Sequence, residues 1–211
     1  MKLLIAIPCY ESIRPETAES IFSLERQLQE DGVAYDIKII SGTLVHCARD
    51  ALARHAVNNN YDQVLWIDAD MVFGKNIYSD LAMDGHDMTC GVFISRHSPY
   101  VSCLFSGLNP VERITEIPAE AFRVKACGFG LVLMKTEVLK AVMNNHGGRC
   151  FLPDKKLGED CAFCKRVEGC GYEIWCEPSA RVGHVGSLVI WPEDGERLRG
   201  EIHGLDGKKV E

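Results

Sequence analysis

Two acids two positions apart, Asp68-Ala69-Asp70, close the apolar run Val64-Leu-Trp-Ile67 and are the residues of this chain best placed for chemistry. The run before them is short, bulky and partly β-branched, which predicts a strand buried on both faces of a mostly parallel sheet. Ligands of open α/β sheets bind beyond the carboxyl ends of the strands, so the two carboxylates are positioned to hold a cation. Residues two apart in an extended segment also point the same way. A hard divalent ion such as Mg²⁺, bound to carboxylate oxygens at about 2.0–2.1 Å with several positions left for substrate phosphate, suits the pair. The plainer alternative is an acidic turn or a helix cap, because an isolated Asp-x-Asp is short and common.

Further candidates lie downstream. Glu159 and Asp160 follow Gly158 at an expected helix start, where the helix dipole alone favours acids. A carboxylate in that position can also take a proton from a reacting hydroxyl. Arg96 and His97 end an expected strand shortly before Pro99, where they meet phosphate or acceptor or else form a solvated turn. Gly128 and Gly130, on either side of Phe129, allow either a tight strand crossing or close approach of an acceptor to the backbone. Cys161-x-x-Cys164 with Cys170 and Cys176 raises structural zinc, but only the first pair has the usual spacing, so packing is the simpler expectation.

The elements that must position these residues alternate along the first half of the chain. Lys2 to Ile7 reads as a buried strand that breaks at Pro8-Cys9-Tyr10. Pro15 opens a helix with Ile21, Leu24 and Leu28 on one face, closed by Gly32. Tyr35 to Ser41 is a second strand. Thr43 or Ser41 is placed to cap a helix from Leu44 to Val57, on which Val45, Ala48, Leu52 and Ala56 share a face. The strand into Asp68 and a short helix from about Lys75 to Met83 complete a βαβαβα order, which predicts a parallel sheet with right-handed crossovers. Beyond it the pattern turns more antiparallel: Asp87 to Ile94, Tyr100 to Phe105, the hairpin arm Val111 to Ile117, and Ala126 to Met134. Helices are expected from Thr136 to Met143 and from Gly158 to about Gly169, with Tyr172 to Cys176 as a last strand. Residues 187–211 are polar and poorly patterned, and read as a tail or lid after one catalytic domain over 1–186.

Composition narrows the class. The 211 residues suffice for one domain with a sizeable core. The net charge of −7 gives no general attraction for nucleic acid or an anionic membrane. No apolar run approaches transmembrane length, and Leu3 to Ile7 is too short for a signal-peptide core. The ten cysteines therefore read as reduced thiols of a cytoplasmic protein, several of them small buried hydrophobes.

Taken in order, Pro8-Cys-Tyr10, Arg49, Leu65-Trp-Ile-Asp-Ala-Asp70, Gly128-Phe-Gly130, Gly158-Glu-Asp160 and Gly183-His184 resemble a GT-A fold nucleotide-sugar glycosyltransferase of the family 2-like type, over roughly residues 2 to 186. The resemblance implies an α/β, Rossmann-like, mostly parallel central sheet flanked by helices, with a smaller antiparallel acceptor-side part. It implies a donor site of Pro8, Cys9, Tyr10, Glu11 or Ser12, Arg49, Asp68 and Ala69. It makes Asp68, Asp70 and His184 ligands of Mn²⁺ or Mg²⁺, and puts Gly128, Phe129, Gly130 and Arg96 on the acceptor side. A uridine nucleotide is the commoner donor of such proteins, and inversion the expected outcome. The family often follows the arginine with Asn, where this chain has Asp50.

The chemistry fits that assignment. Breaking the anomeric bond builds negative charge on the departing diphosphate, which a divalent ion neutralises. Carboxylates plus an imidazole favour Mn²⁺ or Mg²⁺, tilted slightly toward Mn²⁺. Asp160 is the expected base for the acceptor hydroxyl, with Glu159 as fallback. Two rivals remain. Asp68-Ala-Asp-Met-Val72 also resembles the nucleophile site of haloacid-dehalogenase-type phosphatases, with Asp68 phosphorylated, although those proteins carry the motif on the first strand. A non-catalytic nucleotide-sugar-binding module would hold donor and metal without turnover.

Overall fold

From Leu3 onward every residue of β1 (Lys2–Pro8) is buried, and it pairs in parallel with β2 (Ala34–Ile40) on one side and β3 (Gln63–Ile67) on the other. The computed structural model describes residues 1–96, 100–154, 156–186, 189–192, 198–203 and 209–210, the last three segments as backbone. The first crossover is α1 (Pro15–Glu30), with proline in its first turn and Ile21, Leu24 and Leu28 buried at helical spacing. Gly32 follows at φ 67, a left-handed turn that glycine adopts without strain. The second is α2 (Val45–Asn58), whose Ala48, Leu52 and Ala56 are fully buried. Leu44 is its N-cap residue and no side chain caps it, so the expected bond from Thr43 or Ser41 is not made.

The chain continues through β4 (Met71–Val72), α3 (Ile77–Ala82), β5 (Met88–Val92), β6 (Leu104–Leu108), β7 (Val111–Arg113), β8 (Phe122–Val124), β9 (Ala126–Cys127) and β10 (Leu131–Lys135). It then forms α4 (Thr136–Asn145), α5 (Glu159–Gly169), β11 (Ile174–Arg181), β12 (Gly183–Val185), β13 (Val189–Pro192), β14 (Leu198–His203) and β15 (Lys209–Val210). Seven strands make the main sheet in the order β2-β1-β3-β10-β5-β11-β8. β5 and β11 pair in parallel with each other, whereas β10 runs antiparallel to both its neighbours and β8 antiparallel to β11. The α/β fold with a mostly parallel sheet is as expected, and so is the antiparallel character of the later strands, with the β5–β11 pair as the parallel exception.

Because successive strand side chains alternate faces, the sheet carries two cores. Leu4, Ala6, Val64 and Trp66 pack with Leu52, Val138 and Phe163 of α2, α4 and α5. Leu3, Ile5, Leu65 and Ile67 pack with Ile21, Leu24, Ile77 and Leu81 of α1 and α3. Expected as a single strand, residues 126–134 are split: β9 pairs with β6 in a small sheet β7-β6-β9, and β10 enters the main sheet. The crossing needs its glycines. A Cβ on Gly128 would lie 2.7 Å from Phe93 Cζ, and one on Gly130 2.8 Å from Met71 Cε. Beyond residue 186, β13, β14 and β15 continue an antiparallel sheet that runs through β12 to β4. Among the described residues no helix is long and apolar enough to cross a membrane.

Candidate functional site

The two acids after β3 do not share a direction. The Asp68 N–H donates to the Gly130 carbonyl at 3.0 Å and the Met71 N–H to the Asp68 carbonyl at 3.3 Å, so the segment turns instead of extending. Asp68 faces the helices: Arg49 Nη2 donates to its Oδ1 at 2.8 Å and its Oδ2 at 3.0 Å. Asp70 faces β12 and the end of β5, pairing with Arg96 and lying 3.4 Å from His184 Nε2. The two carboxylates, expected to share a cation, thus engage different partners across the turn, although both line one cleft.

Arg49 is the hub on the Asp68 side. Only 2% of its side chain is exposed, and its Nη1 donates to Glu159 Oε1 at 3.1 Å and to Asp160 Oδ1. It lies 5.2 Å from the centre of the Phe129 ring, and its Nε has no hydrogen-bond partner among the described residues. Asp160 Oδ2 also accepts from the Phe129 N–H at 3.3 Å. Burial pushes the Asp68 carboxyl up, and the neighbouring Asp160 charge adds to this; Arg49 opposes both, leaving it at about 6. Burial raises Asp160 as well, with Glu159 adding and Arg49 opposing. Although burial disfavours its charge, Arg49 is held cationic above its ordinary value by the three carboxylates. This geometry makes Arg49 a buried strut beneath the turn, whereas the resemblance placed it against the nucleotide.

Asp50, the departure from the family pattern, has a structural task of its own. It is buried, and its Oδ1 accepts from the N–H groups of Cys150 at 2.8 Å and Phe151 at 2.9 Å. Arg166 of α5 donates to the Cys150 and Leu152 carbonyls at 2.8 and 2.6 Å. Adjacent residues of α2 thus hold both the first turn of α5 and the segment leading toward it.

On the other side, His184 Nδ1 lies 2.9 Å from the Ile94 carbonyl oxygen. A carbonyl only accepts, so Nδ1 carries a proton, and Nε2, turned to Asp70, is the nitrogen that takes a second proton or a metal ion. The Val185 N–H donates to the Asp70 carbonyl at 2.8 Å, and His184 and Met71 are register partners of β12 and β4. Burial works to raise the Asp70 carboxyl, but the hydrogen bond and charge of His184 and the charge of Arg96 bring it below its ordinary value. A carboxylate facing an imidazole nitrogen whose other nitrogen is fixed by a carbonyl is a donor pair suited to a divalent ion. Two protein ligands are enough where substrate phosphate and water complete the shell. Among the described residues no group of three or more His, Cys, Asp or Glu side chains is arranged to hold a metal. Asp70 and His184 are the pair whose geometry fits a divalent ion here.

A cleft of about 390 Å³ opens beside this pair, lined by Pro8, Tyr10, Glu11, Ser12, Arg14, Val45, Asp68, Ala69, Asp70 and Arg96. Most residues expected at the donor site meet there. Cys9 does not: it is 4% exposed and its N–H is bound to the Ile40 carbonyl. Arg96, expected on the acceptor side, lines this same cleft. Phe129, also expected there, is 1% exposed and packs edge-on to Trp66, Phe151 and Phe163, while Gly128 and Gly130 serve the strand crossing. His97 lies outside the described residues. Arg14 and Val45 were missed. Arg14 directly precedes the helix-starting Pro15, and its N–H bonds to the Ala69 carbonyl at 2.9 Å, tying the start of α1 to the acidic turn.

All ten cysteines are free. Cys164 and Cys176 are wholly buried in the core with Cys90 and Cys127, and Cys161 and Cys170 are only partly buried. Cys164 and Cys176 pack as small apolar side chains, with Cys161 and Cys170 against the same core.

No family model matches the sequence, and no curated protein sequence matches it. The crystal structure of A197 from STIV is similar with a TM-score of 0.65 at 19% identity, covering 97% of this chain and 98% of that one. A mutant of Drosophila β-1,4-galactosyltransferase 7 in complex with manganese, UDP-Gal and xylobiose follows at 0.45 and 15%, covering 83% of this chain and 64% of that one. A nucleoside-diphosphate-sugar pyrophosphorylase from Vibrio cholerae RC9 stands at 0.44 and 13%, covering 84% and 72%. The likeness to A197 extends over almost the whole of both chains, and what it shares with this chain is the fold.

Proposed function

We propose that this chain transfers a sugar from a nucleoside diphosphate sugar to an acceptor hydroxyl, as a metal-dependent GT-A glycosyltransferase of the family 2-like type. The observation that carries the proposal is the Asp70–His184 pair beside a cleft at the carboxyl end of a mostly parallel sheet. Asp70 and His184 are the residues that would hold Mn²⁺ or Mg²⁺, which when bound supplies positive charge against the departing diphosphate. The charge of the cleft supports this reading. Its lining holds the acids Glu11, Asp68 and Asp70 against the cations Arg14 and Arg96, a balance that does not favour a diphosphate until a divalent cation joins it.

In this reading Tyr10, which is 67% exposed, and Val45 offer apolar surface to the nucleoside, and a uridine nucleotide is the donor tested first. The acceptor oxygen forms a bond to the anomeric carbon as the bond from that carbon to the diphosphate oxygen breaks. The hydroxyl proton passes to the Asp160 carboxylate, whose raised pKa brings it closer to neutral pH. Attack from the face opposite the leaving group inverts the anomeric centre. Arg49 is a positioning residue that holds Asp68 and Asp160 at fixed separation from one rigid guanidinium. The phosphatase reading is disfavoured because the acidic motif follows β3, the third strand along the chain, and those proteins carry it on the first.

The test is Asp160→Asn with a panel of nucleotide sugars and Mn²⁺. Donor affinity stays the same by calorimetry, and turnover falls by about 10²- to 10⁴-fold. Full turnover in the variant moves the proton acceptor to Glu159 or elsewhere. Donor binding with no turnover in the wild type favours the binding module, and no binding of any nucleotide sugar removes the proposal.

A further inference from the structure

We infer that Arg96 is an exchangeable counter-charge, pairing with Asp70 while the cation position is empty and moving onto the donor's diphosphate when cation and donor bind. This rests on the donor reading above. The guanidinium of Arg96 and the Nε2 of His184 approach the same oxygen, Asp70 Oδ2. A divalent ion held between Asp70 and His184 needs that oxygen, and two cations on one carboxylate oxygen repel at close range. Arg96 must then leave, and the anion that has entered the cleft it lines is the diphosphate. A guanidinium fork matches phosphate oxygens in a way a point charge does not.

The local structure is suited to such an exchange. Arg96 lies just past a hairpin base closed by the Ser95 N–H to Val101 carbonyl bond at 2.9 Å and the Ile94–Ser102 bridge. Ile94 also fixes His184 through its carbonyl, so the histidine stays while the arginine moves. The Arg96 side chain is 42% exposed against 19% for Asp70, so it can change partner without unpacking the core. One consequence is coupling: diphosphate tightens the cation by taking away its competitor, and by linkage the cation tightens the diphosphate equally.

Calorimetry with two probes, Mn²⁺ alone and then UDP into Mn²⁺-saturated protein, tests this on wild type, Arg96→Ala and Arg96→Lys. Arg96→Ala binds Mn²⁺ alone about 3- to 10-fold more tightly, the size of a lost competing ion pair. It binds UDP about 10- to 100-fold more weakly, the size of a lost charged hydrogen bond. Arg96→Lys keeps the charge without the fork and falls between the two. An arginine that merely decorates the surface moves neither affinity, and one that merely shapes the site weakens both; either result overturns the inference. If wild type binds Mn²⁺ but no UDP, the donor reading falls together with the phosphate half of this inference. If wild type binds both and Arg96→Ala matches it in each titration, the inference alone falls.

Discussion

Replacing Arg49 by Met tests whether one buried guanidinium holds the site together. The side chain is 2% exposed and carries Asp68, Glu159 and Asp160, whose side chains are 25%, 23% and 28% exposed. Methionine fills much of the volume but leaves three carboxylates facing one another without a counter-charge. Removing one partner of a buried ion pair costs about 3–5 kcal/mol. For a chain of this length each kcal/mol lowers Tm by roughly 2–4 °C, so the expected loss is about 6–20 °C at pH 7.5. The loss depends on pH with a defined sign. Without Arg49 the Asp68 and Asp160 carboxyls rise further, the native variant takes up protons that the wild type does not, and the penalty shrinks as pH falls toward 5. Thermal unfolding followed by circular dichroism at pH 7.5 and pH 5 reads both effects, and Arg49→Lys, with charge but no fork, is intermediate. A Tm within about 2 °C of wild type at pH 7.5, or a loss of equal size at both pH values, refutes the reasoning.

Other outcomes follow from single contacts. Asp50→Ala strips the acceptor from the buried Cys150 and Phe151 N–H groups and costs about 2–5 kcal/mol in urea unfolding, while Asp50→Asn, which keeps an acceptor oxygen, costs much less. Equal losses in the two variants contradict that assignment. Gly128→Ala drives a methyl toward Phe93 Cζ at 2.7 Å and destabilises by about 1–3 kcal/mol, so an unchanged urea midpoint shows that Phe93 yields. The Asp68 carboxyl sits at about 6 in the folded protein against an ordinary 3.8, so its contribution to stability is full below 3.8 and is lost as pH rises to about 6. The stability of wild type relative to Asp68→Asn therefore falls by up to about 3 kcal/mol between pH 4 and pH 7, and a flat difference refutes it. Asp70 runs the opposite way, its lowered carboxyl adding stability as pH rises through its ordinary value.

The first half of the fold was legible because its elements carry their own periodicity. Ile21, Leu24 and Leu28 face the core at helical spacing, and Leu3 to Ile7 and Val64 to Ile67 are continuous apolar runs of buried strands. The antiparallel turn of the later pattern was legible too, but that β10 would insert between β3 and β5 was not, since strand order is set by connections and not by composition. The split at Gly128-Phe-Gly130 was equally hidden, because it depends on Phe93 and Met71 filling the space beside those glycines. At the site, Asp70 and His184 converge as expected. The divergence of Asp68 was not visible, because two residues of alternation in a strand and two residues of turn have the same sequence spacing. Arg49 was singled out by position in a pattern, and its burial follows from the α2 face it shares with Leu52 and Ala53, which the pattern did not weigh.

Calorimetric titration of UDP into wild type and Asp70→Ala, each with and without Mn²⁺, tests the central claim most directly. Wild type binds UDP far more tightly with Mn²⁺ present, and Asp70→Ala loses that enhancement while keeping its folded circular-dichroism spectrum. The account is contradicted if wild type binds UDP equally with and without Mn²⁺, or if the variant retains the full enhancement.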